Sequence, residues 1–177
     1  MGSGLGPGWR DAGGGEVSLA AFPTGVDRSA RVVADGKTPA RTCRAIGAGA
    51  RAVEVDVFLE PLVPLAARVV VNDAAGGAVM TIELSRSRTV VSIGAEVNEG
   101  AGVTPAKWLH VEMRSADGGV AWEVSERDGG SEPSAQGRTE GIATEGLTEI
   151  CLEVEAIPGG TAYYDNLAVE WTNGEGG

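Results

Sequence analysis

The sequence predicts an all-β, antiparallel domain, either a sandwich or a barrel. Three observations carry this. Apolar and polar residues alternate with period two through nearly every apolar stretch, the pattern of a strand with one buried face. Turn-forming residues break that alternation roughly every ten residues, which gives about eleven short strands. No strand–helix–strand alternation is present, so a parallel sheet is disfavoured; the one Ala-rich stretch, "IGAGARAVE", contains Gly and runs straight into alternation.

The elements follow in order. "EVSLAAF", "DRSARVVADG" and "ARTCRAI" are the first three strands, and "RAVEVDVFLE" is the fourth, closed by "PLVP". "AARVVVND" and "AVMTIELS" flank "DAAGG", whose Asp and Gly suit a hairpin turn. "TVVSIGAEV" comes after "RSR", and "KWLHVEMRS" and "VAWEVSER" flank a second hairpin turn, "ADGG". "DGGSEPSAQGRTEG" reads as the longest irregular loop. "LTEICLEVEA" and "TAYYDNLAVEWT", joined by "IPGG", complete the series. Periodicity does not say which strands pair.

A chain of 177 residues is one domain with enough length for its own core. The expected body is 15–172, with flexible segments at 1–14 and 173–177. "MGSGLGPGWR" has neither the basic start nor the apolar core of a signal peptide, and "MGSG" reads like an expression scar. The net charge of −11 comes without a basic stripe, which argues against nucleic acid and anionic membrane surfaces as partners. No apolar run approaches the roughly 18 residues that span a bilayer. High Ala, Gly, Val and Arg content resembles a GC-rich bacterial genome. His110 is the single histidine, and no Cys-x-x-Cys, G-x-S-x-G or phosphate-binding Gly-rich loop is present, so zinc and Ser-His-Asp chemistry lack their usual signals.

Four stretches carry a family resemblance. "GGGEVSLAAFPTGVDRSARVVADGKTPARTCRAI" resembles the opening of the concanavalin A-like (laminin G-like) jelly-roll modules of bacterial secreted proteins, and "RAVEVDVFLE" is similar to the strand that follows there. "KWLHVEMRSADGGVAWEVSERDG" resembles their Trp-led hairpin, and "GGTAYYDNLAVEW" their Y-x-D-N-x-x-V closing strand. The resemblance implies a two-sheet β-sandwich, a secreted or cell-surface location, and a sheet face that holds a polysaccharide or other glycan. It also implies a structural Ca²⁺ on Asp165, with co-ligands near Asp11 and Glu16. In a secreted chain, two cysteines favour a Cys43–Cys151 bridge over two free thiols, although alternation places both on wet or rim faces.

Period two also nominates the site. Glu54, Asp56, Phe58 and Glu60 share one strand face, opposite Val53, Val55, Val57 and Leu59. Glycosidases of this fold carry two carboxylates closely spaced on one strand. Glu54 and Glu60 lie about 20 Å apart on a regular strand, too far for a retaining or an inverting pair. A solvated strand face is therefore expected there. On "KWLHVEMRS", Trp108, His110, Glu112 and Arg114 share the outward face, with Leu109, Val111 and Met113 in the core. Together with Glu54, Asp56 and Phe58 they form a candidate sugar site, with an aromatic platform and polar groups for hydroxyls. Trp122 is expected in the core. On the closing strand, alternation puts Tyr163, Asp165, Leu167, Val169 and Trp171 together, which would bury Asp165 with apolar neighbours. The resulting expectation is a non-catalytic carbohydrate-binding or adhesion module. The alternatives are a glycoside hydrolase or polysaccharide lyase using Glu54, Asp56, His110 and Glu112, and a purely structural domain.

Overall fold

A computed structural model describes residues 5, 7–21, 28–47, 49–61, 65–116, 118–129, 133–140 and 147–171. Among them are fourteen strands and no helix: β1 (Trp9–Asp11), β2 (Glu16–Ala21), β3 (Arg28–Val33), β4 (Ala40–Ala45), β5 (Ala50–Leu59), β6 (Ala66–Asp73), β7 (Ala78–Ser85), β8 (Arg88–Ile93), β9 (Glu96–Ala101), β10 (Trp108–Ala116), β11 (Gly119–Glu126), β12 (Ala135–Glu140), β13 (Leu147–Val154) and β14 (Thr161–Trp171). They form two seven-stranded sheets, both antiparallel along the named strands. The back sheet has the order β1-β4-β13-β6-β7-β8-β9, and the front sheet the order β12-β11-β10-β5-β14-β3-β2. The all-β two-sheet expectation holds.

The core lies between the sheets and is built from the positions that alternation predicts. Val53, Val55, Val57, Leu109, Val111, Met113, Val120, Trp122 and Val124 come from the front sheet, and all are buried. Val69, Val71, Ile82, Leu84, Ile150 and Leu152 face them from the back. Each fully buried aliphatic side chain contributes roughly 1.5–3 kcal/mol. Both expected hairpins form. In the first, Asp73 Oδ1 accepts hydrogen bonds from Ala75 N–H and Gly77 N–H, 2.9 Å each, and Gly76 takes a φ of 81°.

Three strands depart from the sequence reading. "TVVSIGAEV" is two strands, β8 and β9, folded back at Gly94 (φ 57°). β1 lies inside the segment 1–14 that was expected to be flexible, pairing Trp9 with Arg44; the tail 173–177 lies outside the described residues. β12 falls in the expected loop. Its polar composition conceals it, and Gly137 is needed there because the Trp122 indole crosses it: a Cβ at Gly137 would meet Trp122 Cζ2 at 2.5 Å.

On the outer surface of the back sheet, charges pair with each other. Glu153 lies opposite both Arg41 and Arg68, and Arg68 lies opposite Glu83. The ion pairs measure 3.9 Å (Arg41–Glu153), 2.7 Å (Arg68–Glu153) and 2.7 Å (Arg68–Glu83). Arg88 extends the row to Glu83 and Glu99 at 4.0 and 3.6 Å. In the same surface Cys43 and Cys151 stand directly opposite each other on β4 and β13, and they are disulfide-bonded with a Cα–Cα distance of 4.0 Å. The expected bridge is present. The expected exposure is not: both cysteines are fully buried beside Val70. The Arg41 guanidinium and the Asn72 amide roof them, donating to Cys151 Sγ at 3.2 and 3.4 Å.

Candidate functional site

The front sheet presents a different outer surface. β5 is its central strand, with β10 on one side and β14 on the other. Register sets Trp108 opposite Phe58, His110 opposite Asp56 and Glu112 opposite Glu54. The two strand faces nominated from sequence are therefore neighbours, and all seven candidate residues share one surface.

The first row is aromatic. Phe58 is 7% exposed although it points away from the core, because Trp108 and Tyr163 flank it. The Phe58 ring lies 5.5 Å from that of Trp108, tilted by 57°, and 6.2 Å from that of Tyr163, nearly edge-on. Such tilted and edge-to-face contacts suit the ring quadrupoles. Tyr163 donates its hydroxyl to Glu60 at 3.1 Å. Burial and then the Glu60 carboxylate raise the Tyr163 pKa above its ordinary value, so the phenol stays protonated as the donor. Trp108 is only half-buried.

The second row is polar and held by one carboxylate. Asp56 is 3% exposed and has three side-chain partners. Its Oδ1 meets His110 Nδ1 at 2.9 Å, while its Oδ2 accepts from Asn166 Nδ2 at 2.7 Å and pairs with Arg127 Nη1 at 3.1 Å. A buried carboxylate needs such compensation. Holding His110 through Nδ1 leaves Nε2 as the imidazole atom available to a ligand.

The third row is carboxylate-rich. Arg114 gathers Glu112 (2.7 Å), Glu170 (2.9 Å) and Glu54 (3.6 Å). Hydrogen bonds to Glu112 and Glu170, with their charges, raise the Arg114 pKa further. Glu60 is not brought to Glu54: it follows the end of β5 and serves Tyr163.

The closing strand departs from simple alternation. Asp165 pairs with Asp56 and Ala168 with Glu54, so two residues of β14 oppose Val55 alone. This is a bulge, and Asn166 takes a φ of 49° within it. One extra residue reverses the faces that follow. Tyr164 is buried in the core and Leu167 packs against it, whereas Tyr163 lies outward with Phe58. The expected common face of Tyr163 and Leu167 is thereby corrected. Asp165 is half-buried, and its Oδ1 accepts from Asn166 N–H at 2.8 Å. Asp11 lies in the other sheet, and Glu16 is level with Thr161 through Val33, so neither is gathered at Asp165. Among the described residues, the only three His, Cys, Asp or Glu residues whose ligand atoms all lie within 4.8 Å of one another are Cys43, Glu149 and Cys151, whose sulfurs are bonded to each other.

Tyr163, Asn166 and Arg127 are members of this surface that sequence reasoning missed. "DN" within a strand was a usable signal, since Asn tolerates left-handed φ and so marks a bulge.

No protein-family profile matches the sequence, and no curated protein matches it. Solved structures do. A sialidase superimposes with a TM-score of 0.67 at 15% identity over 94% of this chain, which spans only 17% of the sialidase. The apo Crh5 transglycosylase gives 0.67 at 11% identity, covering 98% of this chain and 82% of that one. The carbohydrate-binding module CBM66 from Bacillus subtilis gives 0.58 at 11%, covering 92% and 95%. The domain has the two-sheet jelly-roll fold of the concanavalin A-like proteins.

Proposed function

We propose that the domain is a non-catalytic carbohydrate-recognition module that works outside the cell, with its glycan on the outer surface of the front sheet, along β10. The observation that supports this reading is the convergence there of one half-exposed indole, backed by the buried Phe58 ring that Tyr163 in turn flanks, with polar groups whose positions Asp56 fixes. A sugar ring stacks on Trp108 while His110 and the row around Arg114 bind hydroxyls. Likeness in fold to a transglycosylase and to a carbohydrate-binding module is in keeping with this. The disulfide suits an oxidising compartment.

One juxtaposition favours the hydrolase alternative: Glu54 and Glu112 are directly opposite, with Cβ atoms about 4.5–5.5 Å apart in such pairs. Arg114 binds both, so the pair is filled by its own cation rather than open to a glycosidic bond. Calcium at Asp165 rests on the resemblance alone, since that side chain supplies one of the six to eight oxygens required. A melt that is unchanged by chelator removes it.

A glycan array followed by calorimetry tests the main reading. Trp108→Ala is expected to weaken binding by about tenfold or more, roughly 1–2 kcal/mol, with the fold intact. Unchanged affinity refutes the site, and reducing-sugar release that is lost in Glu112→Gln moves the domain to the hydrolase class.

A further inference from the structure

Beside β10 the front surface steps down. On β11, Ser125 stands against His110, Glu123 against Glu112 and Ala121 against Arg114, so two of these three outward positions carry small side chains. On the far side β12 sets Gln136 beside Glu123 and Arg138 beside Ala121, both exposed. β11 is thus the floor of a channel, with β10 and β12 as its walls. Two hollows lie toward the two ends of β11, with Arg127 reaching across to Asp56 beside the first. One, of about 380 Å³, lies against Phe58, Lys107, Trp108 and Asp128. The other, also about 380 Å³, lies against Glu112, Ala121, Glu123 and Arg138. From Trp108 to Arg114 along β10 is about 20 Å at 3.4 Å per residue. The crossing route over β5 and β14 is closed by comparison, since Phe58, Asp56 and Tyr163 are each no more than 7% exposed.

Resting on the glycan reading above, we propose that the ligand is an internal run of a polysaccharide lying along β11, parallel to the strands, with one sugar at Trp108 and another about 20 Å away at Arg114. A terminal sugar would fill one hollow and leave the other empty. A chain filling both gains contacts with each added unit until the channel is spanned.

Calorimetric titration with ladders of one to six units of glucose, xylose and N-acetylglucosamine tests this. Affinity is expected to rise about tenfold or more from the disaccharide to the hexasaccharide of the ladder that binds. Ala121→Tyr, which fills the floor, removes that gain and leaves the disaccharide unaffected, whereas Trp108→Ala weakens every length. Arg138→Ala, at an exposed position on the edge strand β12, reduces the gain as well. Equal affinity for one unit and six overturns the proposal, as does a hexasaccharide indifferent to both Ala121→Tyr and Arg138→Ala. Those outcomes leave glycan binding itself standing. Absence of binding on the ladders and on an array overturns both readings.

Discussion

Replacing Cys43 and Cys151 together by alanine removes a cross-link without introducing buried hydroxyls. The bond closes a loop with a sequence separation of 108. In the chain-entropy relation, that loop length corresponds to about 4.8 kcal/mol at 25 °C, gained by restricting the unfolded ensemble. For a domain of this size each kcal/mol moves the melting temperature by about 2–4 °C, so a loss of about 10–20 °C is expected. The native ladder between β4 and β13 does not depend on the bridge, because six consecutive residue pairs hold it, from Glu149–Ala45 to Val154–Ala40. The folded state should therefore persist with an unchanged far-ultraviolet spectrum at 20 °C. Thermal melts of the wild type with and without dithiothreitol, beside the double variant, provide the assay. A shift below about 3 °C would show that the cross-link restricts little and that the entropic reasoning fails here.

Three further outcomes are expected. Gly137→Ala should cost about 1–3 kcal/mol in urea unfolding, because its Cβ collides with the Trp122 ring; an unchanged midpoint refutes the contact. Asn166→Gly keeps the left-handed backbone but loses the bond to Asp56, so it should impair glycan binding more than stability, while Asn166→Val adds about 1–2 kcal/mol of destabilisation; equal melting temperatures for the two variants contradict the bulge. Burial pushes the Glu149 carboxyl up, but hydrogen bonds from Asn72 and Arg10 outweigh it and hold its pKa below the ordinary value. Its folded pKa being the lower one, its contribution is full above the unfolded value and is lost as pH falls through the folded one. Glu149→Gln should thus cost about 1.5–3 kcal/mol at neutral pH and nothing in strong acid; a pH-independent difference speaks against it.

Which residues share a face was legible wherever strands run without interruption. Period two set Glu54, Asp56 and Phe58 on one surface, and Trp108, His110, Glu112 and Arg114 on another, because alternation is a local property of the backbone. That the two surfaces adjoin was not legible: β5 and β10 lie dozens of residues apart, and nothing local encodes a long-range pairing. Arg127 escaped notice because it follows β11 and reaches Asp56 from beyond the strand. Asn166 escaped because a single bulge residue inverts the alternation on which the reading depended. The cysteines looked wet because Cys151 lies between Glu149 and Glu153 in sequence and Cys43 alternates with Arg41, whereas the Arg41 and Asn72 side chains fold over them. β12 was concealed by its glycine and by exposed polar residues that are ordinary on an edge strand.

Asp56, His110 and Asn166 reach one another from β5, β10 and β14, and 110 residues separate Asp56 from Asn166. No fragment that ends before β14 or begins after β5 contains the surface, and no partly folded chain with β14 undocked displays it. A ligand for it therefore discriminates fully between the native state and everything else, and its binding free energy adds directly to the unfolding free energy. At one hundred times Kd the gain is about 2.7 kcal/mol, or about 5–11 °C in a thermal melt. Melting in the presence of candidate glycans thus becomes a screen that requires neither catalysis nor a label, and the domain reports its own ligand by how long it stays folded.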